Sequence, residues 1–196
     1  LKQIQSTFIR RLPEESALLG RVRLAVAREE LDVASRALER LVDSANLWIA
    51  LQAKVQLGLV LDGRGQAAEA DAVLREVGTA LEVKRAARRE GEVGSAPSTA
   101  AEKAALPVFG LMLELGRAWT TIECPESARS TYAELLRDRY ARKPGSEEMT
   151  HVVALAECRL AELRVEDELP EAFRRWLRVL ALRDERVTPY AALQIA

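Results

Sequence analysis

Imidazole and thiol chemistry have few places to reside in this chain. His151 is its single histidine. No cysteine stands at ligand spacing from it, and zinc-type sites need clusters of His and Cys. His151 therefore reads as a surface or capping residue early in a helix. Cys124 and Cys158 are the only cysteines. Neither has a general base near it in sequence to hold a thiolate, so both read as ordinary thiols, with Cys124 the more exposed. There is no glycine-rich phosphate loop, no paired-histidine zinc motif and no nucleophile elbow. The expectation is a protein without a catalytic residue, cofactor or metal, and not an enzyme.

Charge leaves binding open but narrows the partner. The 29 basic and 30 acidic residues among 196 give a net charge of -1. That balance argues against a dedicated nucleic-acid or anionic-membrane binder. The run Lys84-Arg85-Ala86-Ala87-Arg88-Arg89 reads first as a solvated helix end favoured by the helix dipole. Contact with an acidic partner or with nucleic acid is the alternative. Two cysteines cannot make a disulfide framework, and no apolar run reaches the roughly 20 residues of a membrane helix. No signal-peptide pattern precedes the first periodic segment, so the expected location is intracellular, most simply cytoplasmic. The chain begins at Leu1 and stops inside the apolar string 191–196; both ends read as cuts in a longer protein.

The elements that must position any site are helices. Hydrophobic residues make up 48% and aromatics only 5%, and apolar residues recur at three and four rather than two. Leu31, Ala34, Leu38, Leu41 and Val42 form one such stripe. Val55, Leu57, Leu59 and Leu61 lie in a more continuously apolar, inner helix. Pro13, Pro125, Pro170 and Pro189 each precede an apolar run, where proline suits a first turn. Ser146 and Thr188 are candidate N-caps. Ten helices are expected, near 2–11, 14–29, 30–43, 46–62, 66–89, 107–123, 125–142, 146–166, 169–184 and 188–196. Residues 90–99 have linker composition. Thr99 and Glu102 suggest a capping box for a short helix 100–106 ended by Pro107. The 90–106 insertion reads as a long loop, with a binding loop or modification site as the alternative.

Two stretches share one spacing. The first runs Leu57-Gly58, Leu61, Gly65, Ala70, Leu74, Val77. The second runs Leu115-Gly116, Trp119, Glu123, Ala128, Tyr132, Leu135. The glycine admits a neighbouring helix, the alanine sits where the paired helices cross, and the large residues fill the space between. Ala34, Leu38, Leu41 and Ala172, Trp176, Val179 repeat the second-helix part alone. Leu19-Gly20 lies upstream of the former at too long an offset. This pattern resembles the tetratricopeptide (TPR) repeat, in divergent form, over about 51–84 and 109–142. Departures are the missing proline late in the second helix and alanine spacings of 36, 58 and 44.

The resemblance implies a single all-α domain over 1–196, a right-handed solenoid of antiparallel helix pairs with a concave groove lined by first helices. The groove positions would be Gln52, Val55, Leu59 and Asp62, then Gly110, Leu113, Arg117, Thr120 and Thr121. Arg23, Glu157 and Arg164 would extend it. An apolar strip with a few charges suits an amphipathic helix or extended peptide. Chaperone-binding members of the family hold a carboxylate terminus with lysine and asparagine; Val55 and Leu59 stand at two of those positions, which excludes that partner class. Val55, Leu59 and Leu113 also fit burial under a neighbour, and Arg117 also fits pairing with a glutamate of its own helix. Trp48, Trp119, Tyr132 and Trp176 read as core. The resulting expectation is a protein–protein interaction scaffold, with self-association plausible through apolar end faces. The alternative is a ligand- or inhibitor-sensing regulatory domain of a multidomain signalling protein such as a transcription activator, for which only Arg117, Thr120 and Thr121 offer convergent polar groups.

Overall fold

The computed structural model describes residues 2–91, 98–165 and 167–195, with side chains from residue 13 onward. Among these described residues every regular element is an α-helix: α1 (Lys2–Ala27), α2 (Leu31–Leu38), α3 (Leu47–Gly63), α4 (Ala67–Gly91), α5 (Thr99–Thr121), α6 (Pro125–Leu136), α7 (Arg139–Arg142), α8 (Glu147–Glu162), α9 (Leu169–Leu182) and α10 (Thr188–Ile195). A single domain was expected. The contacts gather into two compact units, Leu1–Thr79 and Ala80–Ala196, whose boundary falls within α4.

In the first unit α1 packs on α2 and α3, and α2 packs on α3. Their shared core holds Leu19, Val22, Ala34, Leu38, Leu41, Ile49, Ala53 and Val60. Asn46 caps α3, its side-chain oxygen accepting from the N–H of Trp48 at 3.0 Å. In the second unit α5 packs on α6 and α8, α6 on α8, α8 on α9, and α9 on α10. Ser98 and Ser146 cap α5 and α8, each accepting at 3.2 Å from the N–H three residues on. Ser146 thus takes the role its sequence context predicts.

Several boundaries differ from the sequence expectation, each for a local reason. α1 runs through Pro13, which the sequence placed at a helix start. α5 likewise runs through Pro107, because Ala105, Val108 and Phe109 on either side are buried and hold the helix in line. Thr99 is not the cap; Ser98 is, and Glu102 is buried, accepting from the Gly145 N–H at 2.8 Å. The expected helix 125–142 breaks at Asp138, whose side chain caps α7. Thr188 does not cap α10. Asp184 turns that corner instead, its Oδ1 accepting from the N–H groups of Arg186 and Val187, both at 3.0 Å. Residues 92–97 of the expected linker lie outside the described residues.

The repeated spacing has a common physical form. The four alanines 34, 70, 128 and 172 each donate their N–H to the residue four before, at 3.0, 3.0, 3.2 and 3.0 Å. All four are fully buried, as are Leu41, Val77, Leu135 and Val179 seven positions on. The residues four positions on, Leu38, Leu74, Tyr132 and Trp176, are at most 3% exposed. Three of the four turns also match. Glu29, Gly65 and Glu123 adopt left-handed φ of 59°, 77° and 57°. The next N–H reaches back to Ala25, Leu61 and Trp119 carbonyls, each at 2.9 Å. That is the Schellman closure of a helix end.

The two glycines act as the spacing predicts. A Cβ on Gly58 would come 2.7 Å from Leu74 Cδ2, and one on Gly116 would come 2.5 Å from the Tyr132 ring. Each glycine receives the large residue sixteen positions later. The same count back from Leu38 gives Val22, which is fully buried. So Val22, not Gly20, holds the glycine's place in the first pair, and Gly20 has nothing within 4 Å.

Candidate functional site

The expected groove residues fall on α1 and α3 in the first unit and on α5, α8 and the turn after α8 in the second; Arg23 on α1 is exposed. On α3, Gln52, Leu59 and Asp62 are half-buried, whereas Val55 is 1% exposed. Val55 is core, and its side chain is not offered to a partner. On α5, Gly110 and Leu113 are half-buried, and Arg117, Thr120 and Thr121 are exposed. Both threonine hydroxyls donate to carbonyls of their own helix, Gly116 at 3.0 Å and Arg117 at 3.1 Å. They are engaged locally rather than converging on a shared point.

α8 departs from the expectation. Glu157 is fully buried. Arg175 Nη1 on α9 reaches it at 2.7 Å and Arg178 Nη1 at 2.9 Å. A carboxylate taken out of water needs such partners, so Glu157 is a structural ion cluster and not a groove lining. Arg164, half-buried, pairs with Glu168 at the start of α9. Arg164 therefore closes the turn between α8 and α9. What remains of the expected site is Gly110, Leu113, Arg117, Thr120 and Thr121 along one side of α5, and separately Gln52, Leu59 and Asp62 on α3 and Arg23 on α1.

The structure also brings together polar groups that the sequence did not reveal. His151 is neither a plain surface residue nor a cap: its Nδ1 lies 3.1 Å from Asp184 Oδ2. Burial opposes the charge on Asp184, but hydrogen bonds from His151 and from the Val187 and Arg186 N–H groups outweigh it and hold its carboxyl below the usual range. The basic run on α4 is not a plain solvated end. Arg85 is 5% exposed and donates to the Glu134 carbonyl at 2.8 Å and its carboxylate at 3.3 Å. Arg88 pairs with buried Asp138 and lies over the rings of Phe109 and Tyr140, at 5.5 and 5.2 Å. The i, i+3 spacing of Arg85 and Arg88 was legible as one face, but the acidic face opposite comes from a different part of the chain.

The chemistry within reach is limited. Burial pushes the Cys158 thiol up to about 12, which removes it as a nucleophile at neutral pH. Cys124 is half-buried, the more exposed of the two. Burial also pushes the Tyr132 hydroxyl up to about 12. Trp119, Tyr132 and Trp176 are core as expected, and Trp48 is half-buried. Among the described residues no three His, Cys, Asp or Glu gather to hold a metal ion, and no helix is long and apolar enough to cross a membrane. Among the described residues, two surface clefts bear on small-molecule binding. One of about 780 Å³ is lined by Glu14, Glu15, Ala17, Leu18, Arg21, Arg40 and Leu41 in the first unit. The other, of about 330 Å³, lies between α6 and the start of α9, where Arg129 and Arg164 face Glu126, Asp167 and Glu168. Its opposite charges are already paired with one another.

No protein-family model, curated protein or solved structure compared with the chain matches it. The family resemblance rests on the residues quoted above.

Proposed function

We propose that this chain is an interaction scaffold built from divergent TPR-like helix pairs, which holds a partner helix or extended peptide against its first helices. The observation that carries the reading is the shared register of the four second helices, α2, α4, α6 and α9. Each has a buried alanine, then a large buried residue four on and another seven on. A repeated register of this kind is what helix pairs need in order to bury their faces on neighbours, and repeat architectures present extended surfaces rather than closed pockets.

The α5 side is the favoured contact. Leu113 supplies an apolar anchor and exposed Arg117 a charge one turn on. An amphipathic segment with a matching apolar residue and a carboxylate fits that pair. The sensing alternative has less support, since the Thr120 and Thr121 hydroxyls bond within their own helix.

The test is affinity capture with the intact chain, repeated with a Leu113→Ala/Arg117→Ala double variant. The expected result is a protein partner retained by the wild type and lost by a variant of unchanged helicity and melting temperature. Loss of helicity would assign both residues to the core and remove the α5 contact. A thermal shift from small metabolites, with no protein captured, would favour the sensing reading.

A further inference from the structure

The two clefts hold their arginines in opposite states. In the cleft of about 330 Å³ in the second unit the arginines are neutralised from within: Arg129 pairs with Glu126 and Asp167, and Arg164 with Glu168. No charge is left there for a ligand. The cleft of about 780 Å³ lies between α1 and the turn after α2, and Arg21 and Arg40 line it. Among the described residues neither guanidinium has an ion pair or a side-chain hydrogen bond. Residues 1–12 hold no acidic side chain that could supply one.

The packing of α1 on α2 brings these two arginines to one end of the cleft. The Ser44 hydroxyl donates to Glu15 Oε2 at 2.9 Å, and Val22 and Leu38 meet in the shared core. Counting forward along α1 and back from Ser44 between these two anchors, Arg40 falls opposite Arg21. Glu15 stands six residues back along α1, about 9 Å from Arg21 along the axis, with its carboxylate on Ser44. Half-buried Leu18 and fully buried Leu41 form the floor between the two ends, and exposed Ala17 stands on the wall. One end of the cleft is therefore cationic, its floor is apolar and its far end is acidic.

We infer that this cleft is a binding site for a small monocarboxylate with an apolar body, its carboxylate held by Arg21 and Arg40 and its body laid over Leu18 and Leu41 toward Glu15. The volume is that of small-molecule sites, roughly 300–1,000 Å³. A guanidinium fork matches a carboxylate with two parallel hydrogen bonds, and the ligand's charge relieves two like charges set at one end. Inorganic phosphate would meet the arginines but leave the apolar floor bare. A dicarboxylate would set its second charge against Glu15. The cleft shares no residue with the α5 contact or with Thr120 and Thr121, so it goes beyond the scaffold reading and stands or falls without it.

The experiment titrates the intact chain with octanoate, octylamine, suberate and inorganic phosphate in a calorimeter. Octanoate is expected to bind saturably, at least about tenfold more tightly than the other three, because it alone offers one carboxylate and an apolar chain. Arg21→Gln/Arg40→Gln should weaken octanoate by at least about tenfold with helicity unchanged, since both charge-assisted partners are lost. Ala17→Trp, which fills the cleft from an exposed position, should abolish binding. Leu113→Ala/Arg117→Ala should leave it unaltered. No saturable binding of octanoate, equal binding of octylamine or phosphate, or full affinity in either cleft variant would overturn the assignment. Suberate binding as tightly as octanoate would overturn the role given to the acidic end.

Discussion

The pair α3/α4 and the pair α8/α9 keep the same register on their second helices and solve their first helices in opposite ways. In α3/α4 the place facing Leu74 is Gly58, and three residues earlier stands buried Val55. In α8/α9 the place facing Trp176 by the same count is Leu160, fully buried, and three residues earlier stands Glu157, fully buried and held by Arg175 and Arg178. One pair closes by near contact of backbone and side chain. The other fills the space with a leucine and an ion cluster. The second helix therefore carries the constraint of the architecture, and the first helix is where composition varies.

The largest effect should come from setting the two first helices against each other at that variable place. Glu157→Ala takes the buried partner from Arg175, which keeps Glu171 at 2.9 Å, and from partly exposed Arg178; breaking a buried ion pair costs up to about 3–5 kcal/mol. Val55→Ala removes two buried methyl groups, worth about 1–3 kcal/mol with the cavity included. Urea denaturation of both variants gives the order. If Glu157→Ala cost no more than Val55→Ala, the ion cluster would be peripheral and the contrast between the pairs would fail.

The glycines sharpen the comparison at its other end. Gly116→Ala drives a methyl to 2.5 Å from the Tyr132 ring, while Gly58→Ala drives one to 2.7 Å from Leu74 Cδ2 and 2.8 Å from its Cγ. A buried aromatic ring yields less than a leucine side chain with rotamers to spare, so Gly116→Ala should destabilise by about 1–3 kcal/mol and Gly58→Ala by the smaller amount. Thermal melting of the two variants checks the order.

A third difference is dependence on acid. The His151–Asp184 pair ties α8 to the corner before α10 through a buried carboxylate, whereas the carboxylate that joins α4 to α3, Glu76 with Lys54, is exposed. Asp184→Asn should cost about 1–3 kcal/mol near neutral pH, the scale of hydrogen bonds to a charged group. A carboxyl held below its ordinary value gives stability that is present above the unfolded pKa and is lost as pH falls through the folded one. With an unfolded aspartate near 3.9, wild-type stability should fall below about pH 4, and the wild-type and Asp184→Asn melting curves should converge there. Curves that stay parallel through that window would place the stabilisation elsewhere.

The sequence disclosed periodic features and concealed paired ones. The helices, the Gly58 and Gly116 contacts and the four register alanines were legible, because each is a spacing within one or two adjacent helices. Pro13 and Pro107 misled because both helices run through their proline; at Pro107 the burial of Ala105, Val108 and Phe109 overrides its local preference. Glu157 was read as a groove residue because its position resembled Val55 and Leu113; only the arrival of Arg175 and Arg178 from α9 shows it enclosed. Arg85, Arg88 and His151 were misread for the same reason. Their partners Glu134, Asp138 and Asp184 stand 49, 50 and 33 positions away, and no periodicity connects them.

The smallest effect separates a glycine that packs from one that does not. Leu19-Gly20 has the look of the two functional leucine–glycine pairs, yet Gly20 lies on an exposed stretch of α1 with nothing within 4 Å of a would-be Cβ. Glycine inside a helix is worse than alanine by roughly 0.5–1 kcal/mol, because it has more backbone freedom to lose. Gly20→Ala should therefore stabilise the first unit by about that much, where Gly58→Ala destabilises it. The opposite signs follow from one geometric difference, the presence or absence of a side chain sixteen positions on that needs the room. If Gly20→Ala lowered the melting temperature, Gly20 and not Val22 would hold the glycine's place, and the register assigned to the first helix pair would be off by two.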